Sequence, residues 1–302
     1  MSESNNGILQ ALSGAIEGVA ASTSPSVVSV GSDHRVGTGV IYDESHVATA
    51  AHVVHRMDEV EVGLSDGSSL SAKVLGRNPY TDFALLELET SGLRPIGLGN
   101  SGELRTGQFV LAMANPQGGK PSVTSGIITG VDRQIGGWWH FSVSDAIVTD
   151  ARLNPGYSGG PLLDAGGKMV GMNVAYVSNR GIAVPADSMR RDAEKIAKGE
   201  GFKRAYLGIV SNPIELPNEV SSLPEVNQGS GLMIFSVEPG SAAKKAGFAL
   251  GDVLVRFAGH SVNSFQDLEP LLGEDAVGKE TKVLVLRGER PKELTVVPSV
   301  SG

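Results

Sequence analysis

One serine of this sequence stands between glycines in a run that ends in proline, NPGYSGGP at residues 154–161. Glycine has no Cβ, so the backbone N–H groups around Ser158 can turn toward a single point. N–H groups that converge in this way stabilise the oxyanion of acyl transfer. The same letters are ordinary turn material, so this run alone leaves open both a nucleophile and a flexible loop.

A serine nucleophile needs a general base, and the base needs a group that orients it. Among the six histidines, His52 is the candidate base, because the small residues in HVATAAHVVH leave an imidazole room to reach a cleft. His55 follows, but no acidic or cysteine partner has metal-site spacing, so a metal pair is not favoured. Asp82 precedes the apolar run FALLEL, and a carboxylate buried there needs a partner. Taken singly, each is also compatible with an ordinary polar turn residue.

The order His52, Asp82, Ser158 separates two fold classes. GYSGG also matches the nucleophile-elbow pattern G-x-S-x-G, but that fold places its histidine after the serine and a helix after the elbow. Here only His260 follows Ser158, and the strand-like run KMVGMNVAYV stands where the helix should be. His, Asp, Ser is the order of the chymotrypsin-like double barrel.

The composition predicts a soluble, mostly β protein of about two domains. The chain has 302 residues with 40 glycines and only 5% aromatic residues, a balance that favours many turns between short strands. A net charge of −8 argues against a general nucleic-acid binder. The absence of cysteine excludes disulfides and thiolate nucleophiles and fits a reducing compartment.

Short apolar runs cut by turn residues extend from Val27 to about Val184. The candidate strands are SVVSV, TGVIYD, VEVGL, FALLEL, FVLAMA, SGIITGV, AIVTDA and KMVGMNVAYV. The pattern then changes in PADSMRRDAEKIAKGEG, which predicts a helix capped by Asp187 or Ser188 and ended by Gly201. A domain boundary is expected near residue 202, and the remainder reads as a compact α+β module.

The first residues predict a docking helix, with apolar positions at helical spacing: Ile8, Leu9, Leu12 and Ile16. They show neither a basic leader nor a long apolar core, so neither a signal peptide nor a membrane span is expected. As written, the chain is predicted to be cytoplasmic, or periplasmic or otherwise extracytoplasmic if an N-terminal signal or anchor was lost.

Several motifs in consecutive order resemble the HtrA (Deg) family of serine proteases. They are GTGVIYDESHVATAAHVV, TDFALLEL, SVTSGIITG and IVTDARLNPGYSGGPLLDAGGKMVGMNVA, followed by YLGI and VEPGSAAKKAGFALGDVLVRFAGHSVNSFQDL, which are similar to its PDZ domain. The resemblance covers about residues 25–299. It implies a docking segment at 1–24, a trypsin-like protease domain of two β-barrels at 25–202 and an α+β PDZ domain at 205–300.

The resemblance assigns roles residue by residue within the protease domain. It implies Ser158 as nucleophile, His52 as general base and acid and Asp82 as orienter, with the N–H groups of Gly156 and Ser158 as oxyanion hole. The segment RGIAVP is implied to border the specificity pocket and to pair with substrate backbone. The implied substrate-binding residues are Tyr157, Gly181, Ile182 and Ala183. Arg133, in GVDRQ, is implied to lie on a regulatory loop.

PDZ domains bind the C-terminus of another polypeptide by strand addition, with the terminal carboxylate held by backbone N–H groups. The resemblance implies that the carboxylate-binding loop is YLGI, that is Tyr206, Leu207, Gly208 and Ile209. The expected walls of the groove are Ile209, Leu268 and Leu271.

Two features depart from the family pattern. Tyr157 stands where the family usually has asparagine, which puts substrate preference and basal activity in question. The segment GSDHRVGTG is short, so the long regulatory loop that locks some resting hexamers is absent.

The implied function is ATP-independent endopeptidase activity on unfolded proteins in quality control, without cofactor or metal. No nucleotide-binding P-loop pattern is present. The expected partners are unfolded polypeptides, hydrophobic C-terminal peptides at the PDZ domain and a second and third copy in a homotrimer, with higher oligomers possible and no nucleic acid. Trp138 and Trp139 are candidate interface or activation-loop residues. The alternative is a proteolytically silent peptide-binding scaffold or holdase.

Overall fold

The computed structural model describes the backbone of residues 2–32, 35–138 and 141–300, and the side chains of 7–31, 36–133 and 145–300. Trp139 and the side chain of Trp138 therefore lie outside the described residues. The polypeptide divides into two compact units, one of residues 1–135 and 143–200, the other of residues 136–142 and 201–302.

The first unit contains two closed six-stranded barrels, which confirms the predicted double-barrel class. The first barrel has the strand order β1-β2-β3-β6-β5-β4. Its strands are β1 (Val27–Ser32), β2 (Arg35–Ile41), β3 (His46–Ala50), β4 (Glu59–Gly63), β5 (Ser69–Asn78) and β6 (Phe83–Leu88). Alternation is clear in β4, where Val60 and Val62 are buried between exposed glutamates. FALLEL is buried at all positions but one, as a core strand should be.

The second barrel has the strand order β10-β11-β12-β9-β8-β7. Its strands are β7 (Phe109–Ala114), β8 (Ser122–Trp138), β9 (Phe141–Thr149), β10 (Pro161–Asp164), β11 (Met169–Val177) and β12 (Arg180–Pro185). Barrel closure leaves few free strand edges in either half. Any edge that stays open is therefore a candidate for binding an extended substrate.

Two helices frame the barrels. Helix α1 (Ser2–Thr23) is longer than the predicted docking helix, and Ile8, Leu9 and Leu12 on it are exposed. Helix α2 (Ala186–Ala197) follows β12 and packs on β5, β6 and β11. It ends before the predicted Gly201, because Gly199 already takes the left-handed conformation with φ of +71°.

The second unit is the predicted α+β module. Its main sheet has the order β14-β15-β16-β18-β19, with β17 paired to β16, and a separate pair joins β13 to β20. The elements are β13 (Ala205–Tyr206), β14 (Ile209–Glu215), α3 (Asn218–Ser221), β15 (Ser230–Val237), α4 (Ala242–Ala246), β16 (Val253–Phe257), β17 (His260–Ser261), α5 (Phe265–Leu268), β18 (Thr281–Arg287), β19 (Arg290–Val296) and β20 (Ser299–Val300). Because β14 stands at the end of the sheet, its outer edge is available for another strand.

Candidate active site and peptide groove

The structure brings His52 and Asp82 together at the end of the first barrel. His52 follows β3 and Asp82 precedes β6, and these strands are paired neighbours. Asp82 Oδ2 lies 2.6 Å from His52 Nδ1, and Oδ1 accepts the His52 backbone N–H at 2.8 Å. The Asp82 carbonyl also accepts the Ala51 N–H at 2.9 Å. Both oxygens of the Asp82 carboxylate thus bind His52, one at the ring and one at the backbone. This orientation directs Nδ1 of the imidazole to the carboxylate, so Nε2 is the ring nitrogen that can exchange protons in catalysis.

Thr38 of β2 holds the loop that carries Ser158. Its N–H donates to the Ser158 carbonyl at 2.9 Å, and its hydroxyl donates to the Gly156 carbonyl at 2.7 Å. The same hydroxyl accepts the Asn115 N–H at 2.9 Å, which ties in β7 of the second barrel. Thr38 is fully buried. Sequence reasoning missed it, and a lone hydroxyl residue inside the apolar run GTGVI was the available signal.

Gly159 fixes how closely the serine loop approaches β3. A Cβ at this position would lie 2.5 Å from the Thr49 hydroxyl and closer still to the Thr38 carbonyl. The residue has φ of +85°, a conformation that favours glycine. Only glycine therefore lets the loop backbone rest against the strand from which His52 continues. This contact brings Ser158 to the same end of the barrel as the histidine.

Two backbone donors beside the nucleophile have no hydrogen bond to a described residue, namely the N–H groups of Gly156 and Ser158. The other N–H groups of the loop are used. Those of Tyr157, Gly159 and Gly160 donate to the carbonyls of Asn154, Asn173 and Tyr157, respectively. Gly156 takes φ of +90°, and the Tyr157-to-Asn154 bond closes a turn around it. Two unused donors next to a serine can receive a developing oxyanion.

Tyr157 is buried in an apolar cluster of the second barrel, and its predicted substrate-binding role stays a prediction. Only 3% of the residue is exposed, and the ring packs in an apolar cluster that includes Leu153 and Leu162. Burial raises the pKa of the Tyr157 hydroxyl, an effect opposed by its hydrogen bond with Thr124. The departure of Tyr157 from the family asparagine is therefore a difference in core packing behind the loop.

The predicted pairing of RGIAVP with substrate is corrected. Strand β12 is bonded on one edge to β11 and on the other to β9 at Gly181, Ile182 and Ala183, so neither edge can add a peptide. Ile182 and Ala183 are buried. Gly181 is buried as well, and a Cβ there would meet Thr149 Cγ2 at 2.8 Å and Leu153 Cδ1 at 3.2 Å.

The open edge belongs to the preceding strand. In β11, the N–H of Asn173 donates to the Gly160 carbonyl, and the Asn173 carbonyl accepts the Gly159 N–H. The pairing of β11 with β10 does not continue past Asn173. Val174 follows at a bulge in the pairing with β12. The Ser158 hydroxyl lies 3.4 Å from the Val174 carbonyl. This residue and the exposed Tyr176 were missed, because sequence does not tell which strand edge stays free.

Arg133 lies on β8, beyond the residues that pair with β7, and it is exposed. Its Nε would lie 2.8 Å from a Cβ placed on Gly130, so the guanidinium end of Arg133 lies over that glycine. The regulatory role of Arg133 stays a prediction.

In the second unit, all four residues of YLGI line a groove of about 380 Å³ along the free edge of β14. Gly208 has φ of +76°, and a Cβ there would overlap the Ser241 Cβ and lie 2.8 Å from its hydroxyl. Glycine is thus required for the loop to fold over the start of α4. The Tyr206 hydroxyl donates to Glu238 Oε2 at 2.8 Å, and this bond raises the Tyr206 pKa.

The opposite wall of the groove comes from α5 and the turn after it. Phe265, Leu268 and Leu272 line it, whereas the predicted Leu271 packs against the core of the unit instead. Ser211 Oγ also lines the groove, is buried and has no hydrogen-bond partner among the described residues. An apolar groove beside a free strand edge, with one unsatisfied hydroxyl, suits an extended apolar peptide.

Comparison with known proteins assigns both units. Residues 37–172 match the trypsin-like peptidase domain, and residues 205–297 match the PDZ domain. The chain is 34% identical over 278 residues to the putative serine protease HhoB of Synechocystis sp. PCC 6803, an alignment that includes 87% of this chain and 66% of that protein. It is 31% identical to the periplasmic pH-dependent serine endoprotease DegQ of Escherichia coli K12, over 88% of this chain and 60% of DegQ.

The chain thus spans less than two thirds of DegQ and about two thirds of HhoB. No helix in the described part of the sequence has the length and apolarity to cross a membrane. Several relatives carry periplasmic in their names, so the predicted cytoplasmic location is not supported.

Solved structures agree with this assignment. The HtrA-type protease AlgW with decapeptide superposes with a TM-score of 0.74 at 25% identity, over 94% of this chain and 98% of that one. AlgW with tripeptide gives the same TM-score at 28% identity, over 94% and 97%. With both domains matched in order, the chain belongs to the HtrA family of serine proteases.

Proposed function

We propose that this protein is an ATP-independent serine endopeptidase that cleaves unfolded or misfolded polypeptides. The observation that carries the proposal is the double attachment of Asp82 to His52, at 2.6 Å to the ring and 2.8 Å to the backbone. Ser158 attacks the scissile carbonyl, and His52 takes its proton and passes it to the leaving amine. Asp82 stabilises the imidazolium formed in between. In deacylation, His52 takes a proton from a water that attacks the acyl carbonyl, and it returns the proton to Ser158 Oγ as the ester bond breaks.

The unused N–H groups of Gly156 and Ser158 support a role as oxyanion donors. Removing one donor from such a site costs catalysis about 100-fold to 1000-fold. The hydrogen bond from Thr38 to the Gly156 carbonyl supports a fixed orientation of the turn. In this proposal the hole is preorganised by the barrel.

The free edge of β11 is the proposed track for the substrate backbone, running through Val174 to Tyr176. The side chain before the scissile bond would enter a pocket bordered by Leu153, Thr149 and Gly181. These contacts are apolar or small, so we expect cleavage after aliphatic residues of small to medium size. A cleavage profile dominated by lysine or arginine at that position would contradict this assignment.

The PDZ domain supports peptide binding, and its proposed ligands are hydrophobic C-termini of unfolded polypeptides. The carboxylate would lie against the N–H groups of the YLGI loop, and the terminal side chain would enter the groove between Ile209 and Leu268. AlgW was solved with peptides, which supports the same mode here. We infer that a bound peptide raises protease activity and that Arg133 relays the signal.

The decisive experiment compares wild type with Ser158→Ala on casein, with labelling by a fluorophosphonate. Wild type should cleave casein and label at Ser158, whereas the variant should do neither while keeping its circular dichroism and melting temperature. Ser69→Ala, at an exposed serine of β5, is the matched control and should behave as wild type. An unlabelled, inactive wild type would favour the scaffold or holdase alternative.

We also propose a homotrimer with contacts on the protease domain and the segment 1–24, and boundaries at 25–202 and 205–300 for the two domains. The exposed apolar side chains of α1 support such contacts. Light scattering should report a trimer before and after removal of residues 205–302. A monomeric truncated protein would contradict the placement. The names of the relatives support an extracytoplasmic location, which cell fractionation tests.

A further inference from the structure

A buried carboxylate on α2 is not used by the mechanism above. Asp192 is only 7% exposed, and its Oδ2 accepts the Thr81 hydroxyl at 2.6 Å. Burial raises the Asp192 pKa, while the hydrogen bond from Thr81 lowers it. A carboxylate is buried at a cost unless donors compensate it, so this placement calls for a specific contact to explain it.

Thr81 and Asn78 belong to the turn that leads into Asp82. Asn78 ends β5, its Oδ1 accepts the Tyr80 N–H at 3.0 Å, and Thr81 directly precedes Asp82. Asp82 takes φ of +59°, a left-handed conformation that a non-glycine residue holds only at a cost. Surrounding contacts must therefore impose this conformation on it.

We propose that Asp192 is a positioning residue that clamps the 78–82 turn through Thr81 and so keeps Asp82 aligned with His52. The inference rests on the proposed function, because alignment matters only if this pair acts in catalysis. A path of two hydrogen-bonded contacts connects α2 to the imidazole: Asp192 to Thr81, then from Asp82 to His52. Loss of the clamp should relax the aspartate and misplace the base.

The same helix supplies a matched control. Asp187, in the first turn of α2, accepts the Ser101 hydroxyl, also at 2.6 Å. That bond joins the helix to residues 101–103 instead of the catalytic turn. Breaking it removes an equal hydroxyl–carboxylate bond without touching Asp82.

The test measures kcat and KM on a short fluorogenic peptide with valine before the scissile bond, per active serine titrated with fluorophosphonate. Thr81→Val and Asp192→Leu should each lower kcat by about 10-fold to 100-fold, since misplacement by a fraction of an ångström to 1 Å has this effect. KM should change less than about twofold, because no substrate contact is lost. Thr81→Ser should restore most of the rate, and Ser101→Ala should match wild type.

Combining Thr81→Val with Asp192→Leu should be no worse than the more severe single variant, as expected for two parts of one contact. Wild-type kcat in folded Thr81→Val would overturn the inference, even if Asp192→Leu fails to fold. So would equal losses in Thr81→Val and Ser101→Ala, which would indicate a merely structural role. Failure of the proposed function is distinguishable, since wild type itself would then be as inactive as Ser158→Ala.

Discussion

Gly159→Ala should impair both stability and catalysis through a single methyl group. The added Cβ would lie 2.5 Å from the Thr49 hydroxyl and 3.0 Å from the Ala50 nitrogen. Heavy atoms are comfortable at about 3.5 Å, so the serine loop must move by about 1 Å. An alanine in this left-handed backbone conformation should lower the free energy of unfolding by about 1–2 kcal/mol. Overpacking should lower it by a further amount of about 1–3 kcal/mol. A shift of about 1 Å at the nucleophile lowers kcat about 100-fold.

Gly67→Ala separates the two contributions. Gly67 has φ of +87°, nearly that of Gly159, but nothing lies within 4 Å of its Cβ position. The free energy of unfolding of Gly67→Ala should therefore fall only by the cost of the left-handed backbone, about 1–2 kcal/mol, and the variant should keep full activity. The assay is urea denaturation together with kcat per titrated serine. Equal stability losses in the two variants, or normal kcat in Gly159→Ala, would refute the steric reasoning.

Three further predictions concern the peptide groove of the PDZ domain, the ionisation of two aspartates on α2 and the proposed relay through Arg133. Gly208→Ala should weaken peptide binding, measured by fluorescence anisotropy, at least about tenfold, whereas Gly240→Ala, with the same φ of +76° but open space, should bind as wild type. Burial raises the Asp192 pKa, so wild type loses free energy of unfolding as the pH rises and this carboxyl group ionises in the folded protein. Asp192→Asn has no group to ionise there, so its free energy of unfolding relative to wild type should increase from pH ~3 to ~7, as measured by denaturation. The Ser101 hydrogen bond lowers the Asp187 pKa, so Asp187→Asn should lose stability at neutral pH and approach wild type on acidification; parallel curves would contradict both. Hydrophobic C-terminal peptides should stimulate cleavage several-fold, a coupling of about 1 kcal/mol, and Arg133→Ala should blunt this without weakening peptide binding; an unchanged response would place the relay elsewhere.

The sequence alone determined the type of chemistry and the fold class. The order of the candidates His52, Asp82 and Ser158 excludes the nucleophile-elbow fold, and the resemblance to the HtrA family assigned them their predicted roles. The resemblance also pointed to the YLGI loop, because this motif is short and continuous in the sequence. Such signals depend on neighbours in the sequence, so they survive without knowledge of tertiary contacts.

Only the tertiary structure decided which groups surround these residues. Strand pairing occupies both edges of β12 at Ile182 and leaves the edge of β11 beyond Asn173 unpaired, and it is set by strands far away in sequence. The proposed substrate track therefore lies at Val174 instead of Ile182. The side chain of Tyr157 is buried because it packs against apolar residues of the second barrel. Thr81 and Asp192 are separated by 111 positions, and no local pattern can pair a hydroxyl with a carboxylate over that distance. Packing brings such residues together, and packing is a property of the whole folded protein.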